Sequence, residues 1–401
     1  MLETLRNAFK IEDIRKRIGY TFLMLIVIRI GSQLPIPCVN SEVFANWFAN
    51  QGGDAFSFLD AITGGSFYQM SVFALNITPY ITSSIIIQLL TIAIPKLEEL
   101  QKDGEEGRKK ITKITRYLSV ILALVEAIAM AIGFGRSGYL DKFNVINVLL
   151  VVTTLTAGST ILMWIGERIT ERGVGNGISI VLTINIISRI PADLTALFDQ
   201  FIKGKTIAKG VLAAAIIAAI ILVTVVFVVI LQDAVRKIPV QYSKKIQGRK
   251  QVGGQSTYIP LKVNTAGVIP IIFASSIMQF PIMLQNVLKY ENNGFIGKAL
   301  TSLNSSTWFD VSHPKRSIGL LIYIVLVVLF AYFYTSITFN PLEISNNMKK
   351  QGGFIPGIRP GKPTVDYLTK VLNNIILIGA VGLSFVAFVP IFVSGAFGAD
   401  V

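Results

Sequence analysis

The sequence predicts an all-α, polytopic membrane protein with nine transmembrane helices. Hydrophobic residues make up 52% of the 401-residue chain and charged residues only 15%, with a mean hydropathy of +0.62. A soluble domain carries about 25% charged residues. The apolar residues fall in nine long runs, close to the ~20 residues that a helix needs to cross a bilayer. Strands of a membrane barrel would instead alternate over ~10 residues.

The nine predicted spans differ in quality. The first, fourth, sixth, eighth and ninth are strong. The second is interrupted by Pro79 and the seventh by Pro270 and Pro281, while the fifth is short and contains polar residues such as Asn185. In chain order, the predicted spans are 18–36, 70–94, 115–135, 145–165, 176–196, 208–231, 264–288, 317–339 and 368–394.

Basic residues predict the orientation of the chain. The N-terminal segment and the second, fourth, sixth and eighth loops hold most of the 37 Lys and Arg residues. By the positive-inside rule these segments face the cytoplasm, so the N-terminus is expected inside and, after nine spans, the C-terminus outside. The polar, basic start predicts no cleavable signal peptide. Arg29 and Glu126 are the main ionisable residues within spans, and they do not make a relay.

The composition excludes several classes of function. Cys38 and His313 are the single cysteine and the single histidine, so neither an internal disulfide nor a His/Cys metal cluster is available. Motifs such as a P-loop, HExxH or G-x-S-x-G are missing from the sequence. The run GVGNG at 173–177 opens a span, so it predicts close backbone approach rather than a dinucleotide site. We therefore expect no enzyme activity and no cofactor.

Two cytoplasmic loops, 233–263 and 340–366, are longer than a helix connection requires. They contain the basic, glycine-rich runs KKIQGRKQVGGQ and MKKQGGFIPGIRPGKP. One interpretation is that the charge only sets orientation. The other is that exposed tips with Arg form a docking surface for a large polyanion or an acidic protein.

Three spans, the second, fifth and seventh, are broken and rich in hydroxyls, at NITPYITSS, GNGISIVLTIN and NTAGVIPIIFASS. Helical spacing places Ile77 and Ile81 on one face, and Ile178 and Leu182 on another. One interpretation is ordinary helix packing with small residues at the contacts. The alternative is a polar-lined cavity closed by a hydrophobic ring, which gates by excluding water.

Four segments resemble signature segments of the SecY family, the pore subunits of the bacterial protein translocase. They are FALNITPYITSSIIIQLL, GERITERGVGNGISI, LKVNTAGVIPIIFASSI and FNPLEISNNMKKQGGFIPGIRPGKPT, and DGEEGRKKITKITRY fits as well. The resemblance implies ten helices in two pseudo-symmetric, inverted-repeat halves. Here the halves would be 1–200 with five helices and 201–401 with four. We expect a truncated chain, or alternatively a natural nine-span form.

The resemblance also implies site residues. The pore ring would contain Ile77, Ile81, Ile178, Leu182 and Ile272. A plug at about 55–68 would contain Phe58, Leu59, Ile62, Thr63, Gly64 and Gly65. The lateral gate would contain Thr82, Ser83, Ile86, Gln88, Ser275, Ser276 and Gln279. Docking of the ribosome or SecA would use Lys244, Lys245, Arg249, Lys250, Arg359 and Lys362.

The implied function is a protein-conducting channel in the bacterial inner membrane. It would pass unfolded secretory proteins and release transmembrane segments sideways into lipid. Its partners would be SecE, SecG, the motor ATPase SecA, the ribosome, signal sequences and membrane lipids, with no DNA. A secondary transporter of small solutes is the alternative, although it would need coupling charges at mid-membrane. A membrane insertase or scaffold without a pore is a third.

Overall fold

A computed structural model describes residues 9–41, 43–44, 60, 62–242, 245–247, 250–252, 256–288, 308 and 317–397. Long helices dominate it, as the apolar runs predict. They are α1 (Glu12–Gly31), α2 (Thr78–Ala93), α3 (Pro95–Lys102), α4 (Gly104–Arg136), α5 (Val145–Arg172), α6 (Gly177–Phe201), α7 (Ile207–Asp233), α8 (Ile269–Leu288), α9 (Ile318–Thr338), α10 (Pro341–Lys350) and α11 (Lys362–Phe397).

Each of the nine predicted spans coincides with one of these helices. Within the described residues, six helices are long and apolar enough to cross a membrane, namely α4, α5, α6, α7, α9 and α11. The pair α2 and α3, bent by 108°, makes a seventh if it counts as one broken span. The first turns of α1 are charged, and α8 counts only as a shorter apolar helix over Ile269–Met278. The chain is thus a multi-pass membrane protein, and its helices are compatible with nine spans.

The two long loops that were predicted to be cytoplasmic contain strands that the sequence did not predict. They are β1 (Val235–Tyr242), β2 (Lys245–Gln247), β3 (Lys250–Val252), β4 (Ser256–Lys262) and β5 (Gly353–Phe354). Antiparallel β1 pairs with β4 on one side and with β5 on the other, while β2 and β3 form a hairpin. Strand β5 comes from the second loop, so one sheet joins both loops.

The described residues form two compact units, with a boundary at Leu197 and Phe198. The first unit is built mainly from the chain before it and the second mainly from the chain after it. One core of the first unit packs α4 against α5 around buried residues such as Ala127 and Leu155. In the second unit, Ile238 and Val240 of β1 pack with Leu368 of α11 beneath the sheet.

The structure corrects the interpretation of Pro79. Instead of interrupting a span that starts near residue 70, Pro79 lies in the first turn of α2, which begins at Thr78. Residues 64–70 and 72–77 form turns. The first N–H groups of a helix have no partner within the helix, so proline removes nothing there and its fixed φ suits the start. Pro270 likewise lies at the start of α8, whereas Pro281 lies inside it.

Candidate functional site

Four of the five residues expected in the pore ring come together in the first unit. Ile77 is fully buried in a hydrophobic cluster with residues of α1, α5 and α6, and Ile81, Ile178 and Leu182 pack against that cluster while remaining half-buried. The fifth, Ile272, is half-buried on α8 in the second unit. The four therefore differ: Ile77 is anchored by packing, and the other three retain open surface.

The start of α6 is held in place by the end of α5. A Cβ on Gly177 would overlap the Gly166 carbonyl, so only glycine allows the two backbones to approach this closely. The Thr170 hydroxyl of α5 accepts a hydrogen bond from Gly177 N at 2.8 Å. These contacts confirm that the GVGNG run serves close approach, and they set the position of Ile178, the next residue, and of Leu182, about one turn further on.

The hydroxyls expected at the lateral gate bond mostly to their own helices. Thr82 donates to the Thr78 carbonyl at 3.1 Å, Ser83 to that of Tyr80 at 2.9 Å and Ser276 to that of Ile272 at 2.8 Å. Such bonds satisfy a hydroxyl without a partner helix.

The remaining gate residues differ in environment. Ser275 lies on α8, and its hydroxyl reaches the Tyr323 hydroxyl of α9 at 3.3 Å, which links two helices of the second unit. On α2, Ile86 is half-buried and Gln88 exposed, and the side chain of Gln279 lies outside the described residues. Whether these positions form a gate stays a prediction.

The expected plug is described from Asp60 onward, apart from residue 61, so Phe58 and Leu59 lie outside the described residues. Ile62 and Thr63 end a helical turn, and Gly64 and Gly65 follow with positive φ angles of 68° and 83°. A Cβ on Gly64 would lie 2.5 Å from the Asn185 carbonyl oxygen of α6. This segment therefore packs directly on the backbone of α6.

A polar cluster beside this segment was missed by the sequence analysis. The buried Asp60 carboxylate forms an ion pair with Arg189 of α6, and Asn185 of α6 donates to Asn76 at 3.2 Å. Arg29 and Glu126, the main ionisable residues that the sequence places within spans, have no ion-pair partner in the described part of the chain. The signal that could have revealed the cluster was an Arg inside the fifth span together with an Asp in an outer loop that lacks Lys and Arg.

Two of the six expected docking residues, Arg359 and Lys362, are described with their side chains. Arg359 and Lys362 are exposed, and the Arg359 carbonyl accepts a hydrogen bond from the Thr364 hydroxyl at 2.8 Å. Lys245 and Lys250 lie on the hairpin strands β2 and β3, and their side chains are not among those described. Lys244 and Arg249 lie outside the described residues. Further exposed cations on these elements are Arg236, Lys237, Lys349 and Lys350.

Comparison with known proteins gives one consistent answer. The model of the SecY family matches residues 71–400. Protein translocase subunit SecY of Halalkalibacterium halodurans is 42% identical over 397 residues, which cover 98% of this chain and 89% of the relative. The same subunit of Bacillus subtilis is 40% identical over 398 residues, with the same coverage.

Solved structures of similar fold are channels. A protein-conducting channel matches with a TM-score of 0.65 at 20% identity, over 96% of this chain and 90% of that one. A SecY protein whose plug domain stabilises the closed state of the translocation channel matches at 0.63 and 19%, with the same coverage. Sec61 of a canine ribosome–channel complex matches at 0.60 and 18%, again over 96% and 90%. At these identities the likeness establishes the fold.

Proposed function

Since this chain belongs to the SecY family, we propose that it is the protein-conducting channel subunit of a protein translocase. The observation that carries the proposal is the similarity, at about 40% identity along nearly the whole chain, to translocase subunits. The proposed channel passes unfolded secretory proteins and releases transmembrane segments into lipid. The proposed location is the bacterial inner membrane, with the N-terminus in the cytoplasm.

The ring residues suit a pore that must accept any sequence. Ile81, Ile178 and Leu182 present half-buried aliphatic side chains from two adjacent helices, and Ile272 would complete the ring from α8. Aliphatic side chains offer a passing chain no hydrogen bonds, so they do not hold it, and when they close together they exclude water and ions. Ile77, being fully buried, would support the ring from behind rather than line it.

The proposed plug and lateral gate complete the channel. The segment from Asp60 to Tyr68, referred to below as the plug segment, would close the resting pore. A relative of the same fold has a plug domain that maintains a membrane seal. The residues proposed for the lateral gate, where signal sequences would bind, are Thr82, Ser83, Ile86 and Gln88 of α2 and Ser275, Ser276 and Gln279 of α8.

The sheet of the second unit would be the docking surface. Pairing of β1 with β5 holds both basic loops on one platform, and a buried core beneath it makes the platform rigid. Exposed Arg359 and Lys362 would contact ribosomal RNA phosphates or acidic groups of SecA. A structural relative occurs in a ribosome–channel complex. SecE and SecG would complete the complex, and SecA or translation would supply the energy, so the channel itself needs no catalytic site.

The channel proposal is tested in vesicles that contain the full chain with SecE and SecG. Replacing Ile81 and Leu182 together by Asn should raise resting ion conductance and relax signal-sequence selection, because polar side chains let water enter the ring. A matched control replaces Ile186 and Ile187, exposed residues of the same α6, by Asn. Conductance and protein transport that stay unchanged in the ring variant would contradict the proposal.

The docking surface needs a separate experiment. Arg359→Glu should lower SecA-driven transport while insertion of the channel into the membrane stays normal. The control is Lys142→Glu, which reverses an exposed charge in a loop on the predicted outer side. Normal SecA-driven transport with Arg359→Glu would remove this residue from the docking surface.

A further inference from the structure

We infer that a polar latch between α6 and the plug segment holds that segment closed and sets how readily it opens. The latch consists of Asp60, Asn76, Asn185 and Arg189. This inference rests on the proposed function, because it treats the plug segment as the element that closes the channel.

Asp60 does two things with one carboxylate. Its Oδ1 accepts a hydrogen bond from Tyr68 N at 2.8 Å, which closes the plug segment on itself. Its Oδ2 lies against the guanidinium of Arg189, whose Nε also bonds Asp193 at 3.0 Å on the same helix. The Asp60 side chain has no exposed surface and Arg189 is only 27% exposed. A buried carboxylate requires such a partner, so the plug segment is stable where Arg189 can reach it.

A second, uncharged attachment lies one turn away on α6. Asn185 donates to Asn76 Oδ1 at 3.2 Å, and Asn76 donates to the Ile62 carbonyl of the plug segment at 2.9 Å. Both asparagines are buried, at 2% and 0% exposure. The chain of bonds therefore connects α6, the turn before α2 and the plug segment.

The backbone contact at Gly64 shows that the attachment is close. Gly64 has a φ of 68°, and a Cβ there would lie 2.5 Å from the Asn185 carbonyl oxygen. The latch thus attaches a segment that already lies on α6, and the side chains of Asn185 and Arg189 determine its position along the helix.

The chemistry of the latch suits a contact that must open. Hydrogen-bonding groups regain water when they separate, so the net contribution of each such bond is modest. An apolar contact of the same size is not directional, so it would not fix the plug segment at one position along α6. Moreover, Ile178, Leu182, Asn185 and Arg189 are spaced at i, i+4, i+7 and i+11, which places them on one face of α6. A chain that displaces the ring residues would therefore also strain the latch.

The latch is tested by the accessibility of a buried cysteine in the plug segment. Ser66 is 2% exposed, and Ser66→Cys in a Cys38→Gly background gives the full chain a single thiol. The probe is a membrane-impermeant maleimide, applied to the resting complex in vesicles. We expect Arg189→Gln and Asp60→Asn each to raise the labelling rate at least tenfold. Asp60→Asn keeps an oxygen for Tyr68 N, and it replaces the charged oxygen that faces Arg189 by an NH2 group, which cannot accept from the guanidinium.

The double variant distinguishes a latch from general damage. Since both changes break the ion pair between Asp60 and Arg189, combining Asp60→Asn with Arg189→Gln should raise labelling no further than Arg189→Gln alone. The double variant leaves neither of these two charges unpaired, and Asp193 loses its Arg189 partner equally in the single and the double variant. Asn185→Ala should have a smaller effect in the same direction. The matched control is Thr183→Ala, because this residue is exposed and its hydroxyl bonds the Ser179 carbonyl of its own helix, at 2.8 Å.

A cysteine at Ser119, 3% exposed in α4, reports loss of the whole fold and should stay unlabelled in every variant. Labelling at Ser66 that is unchanged by Arg189→Gln and Asp60→Asn, or effects that multiply in the double variant, would overturn the latch. Ion conductance is measured in parallel. Faster labelling without added conductance supports the latch and counts against the plug segment as the seal, so the two hypotheses fail separately.

Discussion

Replacing Gly64 by alanine should open the plug segment far more than replacing its neighbour Gly65. Both glycines have positive φ, at 68° and 83°, so an L-residue costs about 1–2 kcal/mol at either position. Only Gly64 also meets another group, since its Cβ would lie 2.5 Å from the Asn185 carbonyl oxygen, whereas nothing lies within 4 Å of a Cβ on Gly65. Gly65→Ala is thus a control for the free-energy cost of placing an L-residue at positive φ.

The steric overlap with the Asn185 carbonyl determines how much more Gly64→Ala opens the plug segment than Gly65→Ala does. Overpacking costs about 1–3 kcal/mol, and the plug segment can relieve it by moving off α6. The closed population should therefore fall about 5- to 150-fold further in Gly64→Ala than in Gly65→Ala. The measurement is the labelling rate of the cysteine at Ser66, with ion conductance recorded on the same vesicles. Equal labelling rates in the two variants would show that Gly64 does not pack on α6 in the membrane.

Three further predictions concern stability and sealing. Ile77→Ala should lower the free energy of unfolding by about 2–5 kcal/mol because it leaves a cavity at a fully buried site. Ile81→Ala, at a half-buried site, should change ion conductance more than melting temperature. If Ile77→Ala changed mainly conductance and Ile81→Ala mainly stability, Ile77 would line the ring and Ile81 would support it. Asn340 caps α10 by accepting from Leu342 N at 3.1 Å and Glu343 N at 3.4 Å, so Asn340→Ala should cost about 1 kcal/mol in thermal unfolding, and the exposed Asn347→Ala almost nothing. Gly107→Ala should reduce the amount of folded protein in the membrane, because its Cβ would overlap the Leu100 carbonyl where α3 packs on α4; normal levels would contradict that packing.

Hydropathy identified the helices because it is a local property. Each apolar run of about 20 residues must satisfy its own backbone hydrogen bonds in lipid, and a helix does this within the segment. Every predicted span accordingly overlaps a helix, although the boundaries differ. The second span starts at Thr78 rather than near residue 70, since Pro79 favours the first turn of a helix.

The sheet that joins the two long basic loops could not be predicted from the sequence of either loop alone. Strand β5 is only Gly353–Phe354, too short for a pattern of alternation, and it exists because Gln241 and Tyr242 of β1 provide its hydrogen-bond partners. Strands so far apart in the sequence pair because the folded chain brings them side by side, which a local sequence pattern does not show.

Composition, charge and signature segments can be analysed without any knowledge of contacts. They were sufficient to predict that the chain crosses a membrane many times, which loops are basic and which family it belongs to. The folded structure was needed to show that Ile77 is buried while Ile81 remains half-buried, and that Asp60 pairs with Arg189. Asn76 and Asn185 stand 109 residues apart yet share a hydrogen bond. A polar residue inside a span can line water, pack against a neighbouring helix or pair with a distant partner, and only the folded chain shows which group lies within bonding distance.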